Sequence, residues 1–263
     1  MELGAASGSL SFDRAAAYYD RTRVTDGAQL AADVELLDSM LPAGRTLEIG
    51  IGTGAIAVPL AARGRTVVGV DLSAAMLAQL GAKVGGSSIP IAVGDATRLP
   101  IADASVAGGY CRWVLHLIRD WRAAVFELAR VCARPGVVIV EPGGYGGEWR
   151  TVYERFVDEL GADAEPVGLG TREGSDDLDA AFAAAGGRIR ETIETSGAVD
   201  SSLEVFFGHV QERRFSWTWR VPQERLDAAI PRVHAWAIER YGPELDRPFE
   251  THAPHRWRVY DLP

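Results

Sequence analysis

The sequence predicts a doubly wound α/β protein with a mostly parallel sheet, and three observations point to it. From residue 45 to about 141, short β-rich runs alternate with helical patterns. Two of those runs, residues 66–70 (TVVGV) and 136–140 (GVVIV), are apolar without alternation, as strands covered on both faces are. Three glycines, Gly50, Gly52 and Gly54, follow the first run directly, where such a sheet turns into its first helix.

Each element follows in order. Residues 12–41 read as helices. Residues 45–50 (RTLEIG) form a strand that ends in glycine, and residues 55–63 a helix closed by Gly64. After the strand at 66–70, Ser73 is placed to cap the next helix. Residues 89–93 and 104–111 supply a third and a fourth strand. Trp121, Val125, Leu128 and Ala129 lie at helical spacing within 120–131, ahead of the fifth strand at 136–140. Beyond it the character changes. Gly143, Gly144, Gly146 and Gly147 surround Tyr145, helices are expected at 149–160 and 177–185, and residues 188–195 (RIRETIET) alternate like an exposed strand. Residues 199–253 are mostly helical with a Pro-rich tail, and residues 257–262 (WRVYDL) alternate again as a last strand.

Composition excludes several functions. The chain has 263 residues, 47% hydrophobic and 24% charged, a profile that supports a core without staples. Its two cysteines, Cys111 and Cys132, form no Cys-x-x-Cys pair, which removes a disulfide framework and a zinc ribbon. A net charge of −9, from 36 acids against 27 bases, argues against nucleic-acid binding. No apolar run reaches about 18 residues, so no membrane partner is expected. Met1-Glu2-Leu3-Gly4 lacks the basic start of a secretory signal, and a cytoplasmic location is the expectation.

The chemistry gathers at the strand ends. Glu48-Ile49-Gly50-Ile51-Gly52-Thr53-Gly54 spaces its glycines as G-x-G-x-G, where a sharp turn lets backbone N–H groups approach a ligand. By itself this indicates a nucleotide-like ligand. Asp71 ends the second strand, 21 positions after Gly50, where a carboxylate can accept bonds from ribose hydroxyls or cap the following helix. Asp95, in Gly94-Asp95-Ala96, is either an adenine amino-group acceptor or a turn residue. Glu48 puts a charge on an otherwise apolar strand. One carboxylate at each of three successive strand ends places all three along the carboxyl edge of the sheet, where open α/β sheets bind ligands.

From Phe12 to Glu141 the sequence resembles the class I S-adenosylmethionine-dependent methyltransferases. The resemblance rests on Phe12-Asp13-x-x-Ala16-x-x-Tyr19-Asp20, the glycine turn, Val70-Asp71-Leu72-Ser73 and Gly94-Asp95-Ala96. It continues through Leu99-Pro100, Asp103-Ala104-Ser105, Val114-Leu115-His116 and Arg134-Pro135-Gly136. It implies a Rossmann-like fold with a seven-stranded sheet and S-adenosyl-L-methionine as cofactor. Gly50, Gly52 and Gly54 would wrap the methionine part, next to Glu48. Asp71 would hold the ribose, Leu72 and Met76 would lie against the adenine, and Asp95 with Ala96 would meet its amino group. Cys111, Arg112, Trp113 and His116 would line the methyl-donor end, with Tyr19 closing over it. Gly108-Gly109-Tyr110-Cys111-Arg112-Trp113 departs from the family's common pattern.

The expected organisation is an N-terminal helical lid at 1–44, a cofactor-binding core at 45–198 with 143–186 partly on the acceptor side, a helical cap at 199–253, and the last strand at 254–263. The expected reaction is methyl transfer to a small-molecule acceptor, on oxygen before nitrogen or carbon, by in-line displacement in a capped pocket. His116 is either a general base or a packing residue at a helix start, and His209 is the second candidate base. His252 and His255 are candidate metal ligands by type, but no third ligand lies at a fitting spacing, so no metal is expected. Tyr145, Trp149, Trp217 and Trp219 either line an acceptor site or form ordinary core; Trp217 and Trp219 share a face if their segment is extended. The rival functions are a non-catalytic S-adenosylmethionine-binding protein and a nicotinamide-dependent oxidoreductase. A monomer or homodimer is expected.

Overall fold

The computed structural model describes residues 8–22, 27–84, 89–170, 174–195, 200–250 and 255–263. They fall into two compact units: Met1–Gly143 with Val167–Thr195 and His255–Pro263, and Gly144–Pro166 with Ser196–Pro254.

The first unit is built on a seven-stranded sheet of β1 (Arg45–Ile49), β2 (Thr66–Asp71), β3 (Ile91–Val93), β4 (Val106–Arg112), β5 (Cys132–Glu141), β6 (Arg188–Thr195) and β7 (His255–Leu262). The strand order is β3-β2-β1-β4-β5-β7-β6. Pairing is parallel from β3 through β5, and β7 runs antiparallel to both β5 and β6. The order reverses beside β1, which opens the crevice at its carboxyl end. Alternation along the strands sorts the side chains onto two faces. Leu47, Ile49, Cys111, Val138 and Val140 pack under α5 (Trp121–Val131) and α7 (Gly174–Ala184), against Trp121, Leu128, Leu178 and Phe182. On the opposite face, Tyr110, Ile139, Trp257 and Val259 meet α2 (Gly27–Met40), α3 (Ala57–Ala62) and α4 (Ala74–Val84) through Leu37, Leu60, Leu77 and Leu80. The one-turn helix α1 (Tyr19–Thr22) precedes them. Asp120 caps α5, its side chain accepting from Ala123 N at 3.1 Å.

Element types match the expectation while their ends move. The fifth strand reaches back to Cys132 and on to Glu141, and the third is only three residues long. Ends depend on the neighbouring strand, which local pattern does not carry.

The second unit holds α6 (Gly147–Leu160), α8 (Leu203–Gln211), α9 (Gln223–Tyr241) and a two-residue ladder between Asp200–Ser201 and Phe249–Glu250. Helix α6 groups with the inserted segment and not with the sheet, unlike the division at residue 199. Its apolar face (Val152, Phe156, Leu160) is buried among Phe206, Trp217, Leu226 and Val233. Ser216–Trp219 is a 3-10 turn, which corrects the extended reading of this segment. Trp219 Nε1 donates to Arg213 O at 2.7 Å and Thr218 Oγ1 to Phe215 O at 2.6 Å, so side chains close the turn. Among the described residues no helix is long and apolar enough to cross a membrane.

Candidate active site

The glycine turn leaves β1 with Gly50 N bonded to Val70 O at 2.8 Å and Gly54 N to Ile51 O at 2.9 Å. Gly50, Gly52 and Gly54 all take the left-handed conformation, at φ of +69°, +55° and +79°. Their roles differ. A β-carbon on Gly50 would lie 2.5 Å from Val114, and one on Gly54 would run into Leu80 and Val58. Those two glycines let the turn and the helix pack closely. At Gly52 the nearest side-chain atom is Met76 Cε at 3.3 Å, which makes it the glycine with the more open face.

Asp71 holds this turn. Its Oδ2 accepts from Gly52 N and its Oδ1 from Ser73 N, each at 2.8 Å. Burial raises its pKa despite those two amides. A carboxylate has about four acceptor positions, so these amides leave capacity for a ligand's hydroxyl. Leu72 is half-buried beside it, and Met76 is buried under Gly52. Asp95 Oδ1 accepts from Thr97 N at 2.9 Å and Thr97 Oγ1 at 2.8 Å, a turn that leaves Oδ2 for an amino group; Ala96 is half-buried in the same turn.

A cleft opens beside the glycine turn, lined by Tyr19, Glu48, Gly50, Gly52, Arg112 and Trp113 among others. Glu48 is 4% exposed and accepts from the Tyr110 hydroxyl at 3.0 Å. Burial pushes its pKa up to about 8, against the Tyr110 hydrogen bond and the Arg112 charge. Cys111 alternates to the other face and is fully buried in the core, where burial drives its thiol pKa far upward. Its side chain therefore does not line the cleft, contrary to expectation. Trp113 has φ of +57°, a strained conformation for a bulky residue, with its N–H donated to Glu141 O at 3.0 Å.

Behind Arg112 and Trp113 lies a cluster the sequence reading missed. Asp33 of α2 is fully buried and collects five donors. Its Oδ1 accepts from Gln29 Nε2 at 3.1 Å, Thr195 Oγ1 at 2.6 Å and Trp257 Nε1 at 2.9 Å. Its Oδ2 takes Arg112 Nη1 at 3.1 Å and His255 Nδ1 at 2.7 Å. Burial pulls the Asp33 pKa up, but the hydrogen bonds from His255 and Thr195 outweigh it and hold the group below the usual carboxylate range. The His255 ring stands edge-on to Trp113, centroids 5.2 Å apart. Glu141, paired with Arg112 across β4 and β5, is 5% exposed. Its Oε2 has no hydrogen-bond partner among the described residues, and burial pushes its pKa to about 7 against the His255 charge. The sequence marks His255 only as a candidate metal ligand. Among the described residues no group of three His, Cys, Asp or Glu is arranged for a metal ion, and His252 lies outside them.

The N-terminal segment reaches both loops of the site. Asp13 accepts from Ser73 Oγ at 2.5 Å, and Asp20 from Thr53 Oγ1 at 2.6 Å, with Tyr19 on the cleft wall between them. His116 is half-buried in the 3-10 turn Leu115–Leu117, and its carbonyl accepts from Gly168 N at 3.0 Å. The remaining candidates lie in the second unit. His209 packs edge-on to Trp149 and Phe215, with centroids 5.9 and 5.4 Å apart. Tyr145 and Trp149 belong to the same aromatic cluster, Trp217 Nε1 donates to the Tyr145 hydroxyl at 3.2 Å, Trp217 is 5% exposed and Trp219 is half-buried.

These residues fit S-adenosylmethionine. A left-handed glycine faces the cleft, and a buried carboxyl borders it. Residues 47–140 match the family described as "Methyltransferase domain". An uncharacterized methyltransferase of Mycobacterium tuberculosis is 35% identical over 167 residues, 60% of this chain and 62% of that protein. A demethylmenaquinone methyltransferase of Renibacterium salmoninarum is 33% identical over 122 residues, 44% of this chain and 49% of that protein. The chain thus spans about half to three fifths of these curated relatives. A Bacillus halodurans protein provisionally assigned as a methyltransferase has the same fold, with a TM-score of 0.64 at 17% identity, covering 90% of this chain and 100% of that one. Residues 47–140, which carry the glycine turn and the carboxylates of the sheet edge, thus match a methyltransferase domain, and the sheet shares its fold with the Bacillus halodurans structure.

Proposed function

We propose that the protein transfers a methyl group to an oxygen of a small-molecule acceptor. When bound, the cofactor supplies an electrophilic methyl carbon on a sulfonium. Gly50, Gly52 and Asp71 hold it, Tyr19 covers it, and alignment in a closed cleft contributes most of the rate, worth roughly 7–11 kcal/mol. The observation that carries the choice of oxygen is His255. With Nδ1 committed to Asp33 at 2.7 Å, its Nε2 is left as a proton acceptor, and the ring stands against Trp113 of the cleft wall. A hydroxyl must give up its proton as the new bond to carbon forms, and a positioned base serves that step. His116 is the other candidate base.

A carbon acceptor is the second reading, favoured by the demethylmenaquinone methyltransferase relative, whose named substrate is a quinone. A methyl-labelled cofactor offered with catechols, hydroquinones, hydroxy acids and primary amines tests the proposal. Label recovered as a methyl ether or ester supports it. Label on nitrogen or carbon, or no transfer to any hydroxyl acceptor, counts against it.

A further inference from the structure

Arg112 is a cation built into the wall of a cleft that must receive a cationic cofactor. Glu48 of β1 lies opposite Tyr110 of β4, and Arg112, two positions on, projects to the same face, so both charged groups border one end of the cleft. The Arg112 side chain is 8% exposed, with its guanidinium carbon 4.5 Å from the Trp113 ring centroid. Of its five N–H donors, Asp33 takes one, from Nη1. S-adenosylmethionine carries two positive groups, a sulfonium and an ammonium, and a single negative one, its carboxylate. A guanidinium on this wall with donors beyond the one given to Asp33 is a natural partner for that carboxylate.

We infer that Arg112, aimed by Asp33, binds the carboxylate at the amino-acid end of the cofactor. Asp33 is a positioning residue in this arrangement. Its shared Oδ2 fixes the planar fork, and its charge offsets the guanidinium when the cleft is empty. The buried Glu48 carboxyl borders the same end, so the two side chains bracket a zwitterionic head group. This inference rests on the family's cofactor and not on the identity of the acceptor.

Calorimetry on the full chain tests it with two probes, S-adenosylhomocysteine and 5′-methylthioadenosine, which share the adenosine and thioether but differ in the amino-acid end. Arg112→Gln is expected to weaken S-adenosylhomocysteine about 10- to 100-fold and leave methylthioadenosine within about twofold. Arg112→Lys should recover part of the loss, and Asp33→Asn should show the same selectivity at smaller size. Methylthioadenosine binding also reports that each variant is folded; if Arg112→Gln does not fold, the same ratio is read on Arg112→Lys. An equal loss for both probes, or no loss for either, overturns the assignment. A wild-type protein that binds neither probe brings down the cofactor reading itself.

Discussion

Gly52 donates its backbone N–H to Asp71 Oδ2 over 2.8 Å, so the glycine turn and the end of the neighbouring strand are one unit. Asp71→Ala removes the acceptor of two backbone amides together with the expected ribose partner. S-adenosylhomocysteine affinity should fall below detection by calorimetry while the circular dichroism spectrum persists. Gly52→Val places a β-branched residue at φ of +55° with Met76 against it, and should lose both cofactor affinity and melting temperature. Near-native affinity in both variants would place the cofactor elsewhere.

Asp95 is a smaller contributor. One oxygen is already occupied by Thr97, so Asp95→Ala removes at most one hydrogen bond to a neutral amino group. That is worth about 0.5–1.5 kcal/mol, a loss of affinity no greater than roughly tenfold. A loss of several hundredfold would show that Asp95 has a larger role.

Glu48 links stability to pH. Its folded pKa is raised to about 8 from the ordinary value of 4.5, so between those values the folded chain holds a proton that the unfolded chain has released. Its contribution to stability is present below about pH 4.5 and is lost as pH rises toward 8. Glu141, raised to about 7, adds in the same direction over a narrower window. Glu48→Gln keeps the shape without the titration. Thermal melts of the ligand-free variant should be flatter with pH and higher than wild type at pH 8, by roughly 2–4 °C for each kcal/mol. The same variant should bind S-adenosylhomocysteine less well, since it cannot ionise beside the ammonium.

The two histidines of the first unit can be told apart by rate. With an acceptor found in the methyl-transfer screen, His255→Gln should lower kcat by ~10²–10⁴ and flatten its fall at low pH, leaving cofactor affinity intact. His116→Ala should keep most of the turnover. The reverse result would move the base to His116, and flat profiles in both would mean that alignment alone drives the reaction.

In the second unit, Trp217 is 5% exposed and packs with Tyr153 and Phe156 at centroid distances of 5.6 and 5.5 Å. Trp217→Ala should cost about 3–5 kcal/mol and show a clear drop in melting temperature. The half-buried Trp219 should cost less. A rise in acceptor KM with an unchanged melting temperature would instead make Trp217 part of the acceptor site.

What the sequence by itself determined was the part of the site written in local chain geometry. Gly50, Gly52 and Gly54 announce a turn only glycine adopts comfortably, and Glu48, Asp71 and Asp95 fall at strand ends because each follows a β-rich run. A strand-end residue in a parallel sheet faces the same edge whatever its neighbours are, so these positions were legible without a structure. Tertiary structure alone decided the rest. Asp33 and His255 are 222 positions apart and meet only because β7 inserts between β5 and β6 across from α2. Nothing in the helix around Asp33 or the alternating strand after His255 marks them as partners, and the Ser216–Trp219 turn is closed by contacts its alternating sequence does not reveal. Side-chain charge state depends on the same packing: Glu48 is an ordinary carboxylate in the unfolded chain and holds a proton near neutrality only when burial in the sheet takes it out of water, against the opposing hydrogen bond from Tyr110.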